Sequence, residues 1–417
     1  MQVLQATSAS KSQSSSGYEM GIGLGLAMLS VMIWVWLLAF RGQFWRTDQM
    51  LEATSPLPDP WPSICAIVPA RNEAELLPIT LRSLLSQSYP GDFSVFLIDD
   101  HSHDGTGEVA RQVAQSLNRS DQLTVLAAEP LPPGWTGKLW ALEQGVRRAQ
   151  TLPSPPDYLL LTDADIQHDS ENLQHLVARA CDHQLSLTSI MVLLRCKSAW
   201  EKFLIPAFVF FFQKLYPFRW INDPAHPTAG AAGGCILIRR TTLEKIGGME
   251  VVRQALIDDC TLAKAVKATP GENRIWLGLS RSTQSLRPYD SLSSIWEMVA
   301  RTAFTQLGYS PLLLLGTIIG MTLVYVIPPF TAIVGSLTGS WLLAAIGFVG
   351  WLLMSYAYWP MIQLYGCPFW LAACLPAIAV LYNLMTLDSA WRHWRGAGGT
   401  WKGRLYSERQ VVGDRTE

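Results

Sequence analysis

The feature that most constrains this chain is a stretch of 86 residues, from Thr302 to Leu387, that lacks Asp, Glu, Lys, Arg and His. No soluble fold needs such a stretch, and about 20 apolar residues suffice for one membrane-spanning helix. Residues 307–388 are therefore predicted to form a membrane region of three or four segments. The candidate segments are Pro311–Leu337, Trp341–Pro360 and Phe369–Leu387.

A second uncharged stretch lies between Glu19 and Arg41. Its 21 residues are enough to cross a hydrocarbon core of about 30 Å, so a transmembrane helix is predicted at 20–40. A cleavable signal peptide is the alternative, but the Ser-rich leader carries one lysine and no small-residue cleavage site follows. Residues 1–19 are predicted to be a disordered tail and residues 41–62 a linker.

Basic residues follow both apolar regions. Arg41 and Arg46 come after the first region, and Arg392 and Arg395 begin a basic tail, 389–417, after the last. The positive-inside rule places both flanks, and the domain between them, in the cytoplasm.

The number of spans conflicts with that orientation, because three spans after the domain would leave the tail on the opposite side. Either one C-terminal segment is re-entrant, or Pro311–Leu337 folds back as a hairpin at Pro328–Pro329.

Composition excludes several classes of protein. Hydrophobic residues make up 49% of the chain, which excludes a disordered protein. The 32 basic and 33 acidic side chains leave a formal net charge of −1, so a strongly cationic nucleic-acid binder is excluded and no nucleic-acid partner is expected. The seven cysteines include no CxxC pair, which argues against a zinc site or a disulfide framework.

Between the apolar regions, buried-strand patterns alternate with amphipathic helical patterns, which favours a mostly parallel α/β sheet. The predicted strands are Ser63–Ala70, Phe93–Ile98, Leu123–Ala127, Tyr158–Leu161 and Cys235–Arg239. The predicted helices are Glu73–Gln87 with Asn72 as its cap, Gly107–Leu117, Lys138–Ala149, Asn172–Asp182 and Thr261–Ala268.

Polar clusters follow three of these strands. They are Pro69–Glu73 after the first, Asp99–Ser102 after the second and Asp163–Asp165 after the fourth. Ligands of open α/β sheets bind beyond the carboxyl ends of the strands, so the clusters are expected to form one site. A carboxylate such as Asp99 or Asp100 can accept hydrogen bonds from a nucleobase or from ribose hydroxyls.

Asp163 and Asp165 are separated by one small residue. Two carboxylates at this spacing reach one ion from a tight turn, and Mg²⁺ takes one or two protein carboxylates together with water and phosphate oxygens. The pattern favours a metal–diphosphate site. The alternative is an acidic turn in which Asp163 is a cap.

Three later segments carry further candidates. Lys138 stands at a helix start, where it could meet a phosphate; the alternative is a surface lysine. Gly233 and Gly234 precede the strand that begins at Cys235, and their lack of side chains lets a ligand approach the backbone. Asp258–Asp259 opens a helix, where the helix dipole favours carboxylates in any case.

The order of these segments resembles the family 2 glycosyltransferases, which have a GT-A fold. The resemblance is carried by VPARNE at 68–73, IDDHSHDGT at 98–106, WTGK at 135–138, DAD at 163–165, AGGC at 232–235 and IDDC at 257–260. With membrane segments on both sides, the chain is similar to ceramide glucosyltransferase and related lipid glycosyltransferases. The sequences of the segments PPGWTGK, TAGAAGGCILIRR and MVARTAFTQL most resemble those of the bacterial hopene-associated glycosyltransferases.

The resemblance implies a GT-A domain over 63–306, with a Rossmann-like mixed α/β sheet for nucleotide-diphospho-sugars and transmembrane helices at both ends. It also implies an integral protein of a bacterial inner or internal membrane. The residues implied to contact the donor are Pro69, Ala70, Asn72, Glu73, Asp99, Asp100, Lys138, Asp163 and Arg301. Asp163 and Asp165 would hold Mg²⁺ or Mn²⁺, Asp259 beside Asp258 would be the catalytic base, and Gly233, Gly234 and Cys235 would border the acceptor.

The chain departs from the family at its later QxxRW motif. The nearest match, Met298–Thr302, keeps Arg301 but lacks Gln and Trp. This departure leaves the role of that helix open and argues against a processive polymer synthase.

The expected activity is inverting transfer of a sugar from a nucleoside diphosphate to a lipid, such as a hopanoid or another isoprenoid or sphingoid-like alcohol. Transfer to a polyprenyl phosphate and a non-catalytic membrane scaffold with a degenerate GT-A fold are the alternatives. A dinucleotide oxidoreductase is disfavoured, because Gly105-Thr-Gly107 lacks the third glycine of the fingerprint. The aromatic-rich segment Trp200–Phe218 is either a core helix or an interfacial helix that leads a lipid to the site.

Overall fold

In this computed structural model, the structure describes residues 2–52, 57–396, 400–401 and 404–405, with side chains over 20–52 and 57–396. The chain begins with helix α1 (Gln2–Phe40). Eight strands then form one sheet: β1 (Ile64–Ala70), β2 (Phe93–Asp99), β3 (Leu123–Ala127), β4 (Tyr158–Thr162), β5 (Ile166–Gln167), β6 (Leu187–Leu193), β7 (Cys235–Arg239) and β8 (Ile275–Ser285).

Helices between and after these strands cover the sheet. They are α2 (Leu77–Leu85), α3 (Thr106–Ser116), α4 (Gly137–Gln150), α5 (Asn172–Asp182), α6 (Ala199–Leu215), α7 (Phe218–Ile221), α8 (Arg240–Lys245), α9 (Asp258–Ala268), α10 (Leu292–Ala300) and α11 (Ala303–Gln306), with a 3₁₀ turn at Gly248–Val252.

The apolar C-terminal region follows. It consists of α12 (Pro311–Met321), a π-helical turn (Thr322–Val326), α13 (Ile327–Leu337), α14 (Trp341–Leu364), a 3₁₀ segment (Phe369–Cys374) and α15 (Leu375–Trp394). Two short antiparallel strands, β9 (Thr400–Trp401) and β10 (Arg404–Leu405), lie beyond it. The rest of the predicted basic tail, 397–399, 402–403 and 406–417, and linker residues 53–56 lie outside the described residues.

The strand order explains how distant segments reach one edge of the sheet. The order is β3-β2-β1-β4-β7-β6-β8-β5, with β1 to β4 parallel and β7 antiparallel to both β4 and β6. Strand β8 is parallel to β6. The carboxyl ends of β1, β2, β4 and β8 therefore lie at the same edge as the amino end of β7. This mixed α/β sheet with apolar helices at both ends confirms the expected fold class.

Alternating side chains of the strands build a core on each face of the sheet. On β1, Cys65 and Ile67 face α4, whereas Ala66 and Val68 face α2 and α3, as the two-residue period of a strand requires. The first core is continuous with buried residues of the apolar region, including Tyr358 on α14.

Helix α6 joins the sheet domain to the apolar region. The Phe210 ring packs against the Tyr358 ring at an angle of 59°, and the Tyr382 hydroxyl donates to the Leu204 carbonyl at 2.9 Å. Because Leu204, Pro206 and Phe210 are buried, the packing supports the core-helix interpretation of this segment.

Within the described part of the chain, four helical segments are long and apolar enough to cross a membrane: Met20–Phe40, Pro311–Leu337, Trp341–Leu364 and Phe369–Trp394. The predicted hairpin at Pro328–Pro329 is wrong, because the chain continues in one direction through this segment. A π-helical turn at Thr322–Val326 directly precedes the two prolines. It relaxes the helix where proline rings would otherwise clash with carbonyls of the preceding turn.

Both ends of the fourth apolar segment lie against the sheet domain. Just before it, Cys367 Sγ is 3.7 Å from Cys196 Sγ, next to the polar Arg195. At its other end, Arg392 binds both carboxylate oxygens of Glu297 on α10, at 2.6 and 2.8 Å. Both ends of this segment therefore contact the same domain, as the re-entrant alternative requires.

Two local predictions were also wrong. Helix α1 extends back to Gln2, over the residues expected to be a disordered tail, since no proline and no glycine before Gly17 stops a helix from propagating. Asn72 does not cap α2, which begins only at Leu77. Instead, the Asn72 side chain accepts the His103 N–H at 3.0 Å and ties two loops together.

Candidate active site

A small pocket lies at the shared strand edge. Its polar wall consists of Lys138, Asp163, Gly233, Asp258 and Asp259. Its apolar wall consists of Leu142, Leu161, Ile236, Met249 and Leu262. The pocket therefore unites three of the segments singled out in the sequence and the start of a fourth, α4.

Lys138 is the central cation of the pocket. It lies in the first turn of α4, which the Thr136 side chain caps by accepting the Leu139 N–H. Its Nζ is 2.9 Å from Asp163 Oδ1 and 3.6 Å from Asp258 Oδ2. Burial opposes the charge, but the carboxylates of Asp163 and Asp258 outweigh it and raise the pKa of Lys138. The surface-lysine alternative is therefore wrong.

Asp259 is held by the backbone. Its Oδ2 accepts the Gly233 N–H at 2.9 Å, and its Oδ1 accepts the Cys260 N–H at 2.7 Å. Burial first, and the neighbouring charge of Asp258 second, raise the pKa of Asp259 to about 6. A carboxylate with a pKa in this range is suited to take up a proton near neutral pH.

The two glycines and Cys235 differ in their relation to the pocket. A side-chain carbon added at Gly233 would lie 3.4 Å from both Asp259 Oδ2 and Lys138 Nζ, so this position keeps the pocket open. The Gly234 carbonyl accepts the Thr162 hydroxyl at 2.8 Å. The Cys235 side chain is fully buried in the core on the other face of the sheet, so it does not line the pocket.

Arg287, which the sequence analysis missed, connects the pocket to the loop after β1. Its Nε donates to Asp165 Oδ2 at 2.8 Å, and its second guanidinium nitrogen donates to Glu73 Oε1 at 2.9 Å. The Ser285 hydroxyl also donates to Asp165 Oδ2, at 3.1 Å. Arg287 follows β8, so the rule that placed the other candidates at strand ends would have found it had β8 been predicted.

The loops after β1 and β2 form the far end of the site. Arg71 donates to the Asp100 carbonyl at 2.7 Å and lies 3.4 Å from Asp100 Oδ2. Asp99 Oδ1 accepts the Ser102 N–H, and the Glu73 N–H donates to the Thr106 hydroxyl. The carboxylates of Asp99 and Asp100 thus order the loops as well as facing the strand edge.

Pro69 and Ala70 end β1, where they pair with Ile98 and Asp99 of β2 and so place the loop that carries Asn72 and Glu73. Arg301 follows α10 and is exposed. It is not part of the pocket wall. Burial raises the pKa of the Tyr289 phenol, and the positive charges of Arg287 and Arg301 oppose this rise.

The donor chemistry around Asp163 and Asp165 fits a magnesium or manganese ion, because hard carboxylate oxygens stand at the edge of a cleft that is open to a phosphate. Burial raises the pKa of Asp163, Lys138 lowers it and the charge of Asp165 raises it further. The two carboxylates therefore interact electrostatically. Over the described residues, no group of three or more His, Cys, Asp or Glu side chains forms a metal site. An ion here would complete its coordination with water and substrate oxygens.

Part of the chain that carries the pocket resembles a known family. Residues 65–247 match the family model described as "Glycosyl transferase family 2". This segment is therefore similar to glycosyl transferase family 2 domains. The match covers β1 to α8 and agrees with the resemblance seen in the sequence, whereas Asp258, Asp259 and Arg287 lie beyond it.

Two curated relatives and one solved structure illustrate the range of similarity. Probable glycosyltransferase YdaM of Bacillus subtilis is 24% identical over 205 residues, 48% of this chain and 46% of that protein. Beta-monoglucosyldiacylglycerol synthase of Trichormus variabilis is 32% identical over 117 residues, 28% of this chain and 23% of that protein. The chain thus spans less than half the length of these two relatives.

The solved structure is the mannosyltransferase PcManGT of Pyrobaculum calidifontis in complex with GDP-Man and Mn²⁺. It is 17% identical, with a TM-score of 0.49, over 89% of this chain and 99% of that one.

Proposed function

We propose that this protein transfers a sugar from a nucleoside diphosphate donor to a hydroxyl group of a membrane lipid, with inversion at the anomeric carbon. The observation that carries the proposal is the convergence of Lys138, Asp163 and Asp259 on one pocket of a domain that is similar to glycosyl transferase family 2 and packs directly on apolar helices. A soluble acceptor would not require such packing.

The chemical step follows from the placement of the carboxylates. Asp259 takes the proton of the acceptor hydroxyl, and the acceptor oxygen forms a bond to the anomeric carbon. The bond between that carbon and the diphosphate oxygen breaks, and the nucleoside diphosphate leaves with the electron pair. Lys138 lies where it stabilises the negative charge of the leaving group.

Asp163 and Asp165 are the residues that would hold Mg²⁺ or Mn²⁺. When bound, the ion supplies further positive charge for the leaving diphosphate. The apolar wall of Leu142, Leu161 and Met249 keeps water away from the reacting atoms, which favours transfer to the acceptor over hydrolysis.

A polycyclic isoprenoid alcohol of the hopanoid type is the acceptor that we favour. The support for this acceptor is the sequence resemblance to hopene-associated glycosyltransferases. The name of one relative, which specifies a diacylglycerol lipid, supports a lipid acceptor in general. The re-entrant geometry of Phe369–Trp394 would place the sheet domain and the basic end of α15 on the same side of the membrane, and we assign both to the cytoplasm of a bacterial inner or internal membrane. A C-terminal reporter that is active only in the cytoplasm tests this orientation.

The function is tested with the full chain in nanodiscs, supplied with Mn²⁺, a panel of UDP- and GDP-sugars and lipid fractions that include hopanoids. Mass spectrometry should detect a glycosylated lipid that is absent when Asp163 and Asp165 are both replaced by Asn. A product on a polyprenyl phosphate would overturn the acceptor assignment. The absence of both sugar-nucleotide binding and turnover would indicate a scaffold rather than an enzyme.

A further inference from the structure

Each carboxylate of the Asp163–Asp165 pair is already in contact with a cation of the chain. Lys138 forms a salt bridge with Asp163, and Arg287 forms one with Asp165. We propose that Arg287 is an internal counter-ion that a divalent cation must displace from Asp165, and that the donor diphosphate then binds the released guanidinium. This inference rests on the proposed function, since it assigns Arg287 a role in donor and metal binding.

The burial of the two carboxylates explains why a counter-ion is needed. Asp165 is 5% exposed and Glu73 is 7% exposed, so both would be costly to ionise without a partner. The fork of an arginine meets both at once, because Nε and a terminal nitrogen point to different carboxylates. The Arg287 side chain itself is 36% exposed, so it borders solvent on the side from which a ligand would arrive.

Arg287 and a metal ion would compete for the negative charge of the same carboxylate. Asp165 Oδ2 accepts hydrogen bonds from both Arg287 Nε and Ser285 Oγ. A divalent cation at this oxygen would lie beside the guanidinium charge, and like charges in a site of low dielectric repel strongly. The guanidinium must therefore leave Asp165 when the ion binds.

A diphosphate provides the released guanidinium with a new partner, since arginine binds phosphate oxygens with the same two-pronged geometry that it uses for carboxylates. Binding of the metal alone would leave the Arg287 guanidinium with one anionic partner instead of two. Binding of the metal together with the diphosphate would give the guanidinium a second anionic partner again. Binding of the ion and binding of the nucleotide should thus reinforce each other, and this effect is reciprocal.

The test measures binding of Mn²⁺ to the purified full chain, by electron paramagnetic resonance of free Mn²⁺, with and without UDP or GDP. The variant is Arg287→Met. The matched control is Arg281→Met, which removes an exposed arginine of β8, the strand that Arg287 follows. Arg287→Lys keeps a charge but cannot bridge two carboxylates, and it serves as the variant that folds if Arg287→Met does not.

Without nucleotide, Arg287→Met should bind Mn²⁺ about fivefold or more tightly than wild type, and Arg287→Lys should lie between the two. The factor by which UDP or GDP strengthens Mn²⁺ binding should shrink in both variants and stay unchanged in Arg281→Met. Equal nucleotide-free Mn²⁺ affinity in wild type, Arg287→Lys and any folded Arg287→Met would overturn the inference. Absence of UDP and GDP binding in every variant would instead overturn the proposed function, and the nucleotide-free comparison would still decide the role of Arg287.

Discussion

The two acidic pairs of the site, Asp163–Asp165 and Asp258–Asp259, share contact with Lys138 but differ in how Asp165 and Asp259 are held. At the end of β4, Asp163 and Asp165 contact the cationic side chains Lys138 and Arg287. At the start of α9, both oxygens of Asp259 accept backbone N–H groups, and its pKa is raised to about 6. The first pair is built to exchange one cation for another, and Asp259 is built to exchange a proton.

This difference separates the residues that bind from the residue that takes part in the chemical step. A carboxylate that exchanges its counter-ion needs a counter-ion that can move away, and the side chains of Lys138 and Arg287 are long and flexible. A base must keep its position relative to the acceptor oxygen, and backbone groups of Gly233 and Cys260 hold Asp259 more rigidly than a side chain would. Substitutions in the two pairs should therefore change different kinetic constants.

The largest effect is expected from Asp259→Asn, which preserves the shape of the side chain but removes its ability to accept a proton. General bases contribute about 10²- to 10⁴-fold, so kcat for transfer should fall by that range while nucleotide affinity with Mn²⁺ stays within about twofold. Single-turnover kinetics and titration calorimetry measure the two quantities. Retention of full kcat would show that another group is the base.

A second, smaller effect is expected from Asp165→Ala, which should act on binding instead. Loss of the carboxylate should weaken nucleotide binding in the presence of Mn²⁺ by about tenfold or more, or about 1.4 kcal/mol, and leave binding without metal much less affected. The exposed Asp121, changed to Ala, is the matched control. If Asp165→Ala lowered kcat without changing nucleotide affinity, the division of labour between the pairs would be wrong.

The sequence predicted the contents of the pocket better than its connections. Asp163, Asp259 and Gly233 were found because polar residues at strand ends and helix starts of an α/β sheet converge on one edge. Arg287 was missed because the strand that it follows, β8, was not predicted. This strand pairs with β6 and β5, which are far away along the chain, and no local sequence pattern indicated it. Which cation contacts which carboxylate depends on distances that only the folded chain determines.

For the membrane region, too, the sequence predicted which segments take part better than how they are arranged. Apolar length located all four segments, because hydrocarbon thickness sets the number of residues that a span needs. Length does not reveal whether a segment crosses or returns. The contacts of Cys367 with Cys196 and of Arg392 with Glu297 favour the re-entrant alternative, and they join residues more than 90 positions apart.

The smallest effect is the shift expected in the pH profile of Lys138→Met, beyond the loss of leaving-group stabilisation that should lower its kcat at every pH. This shift tests the electrostatic coupling between the two pairs. The positive charge of Lys138 lowers the pKa of Asp259, against burial and Asp258, which raise it. In wild type, kcat at saturating donor should fall as the pH drops through about 6, because protonated Asp259 cannot act as a base. Removal of the cation should raise the pKa of Asp259 and move this acid limb to higher pH, so that the variant loses more activity at pH 6 than at pH 8. Lys264→Met, at an exposed lysine on α9, should leave the profile in place, and an unshifted profile in Lys138→Met would mean that the proton and the cations of this pocket are handled independently.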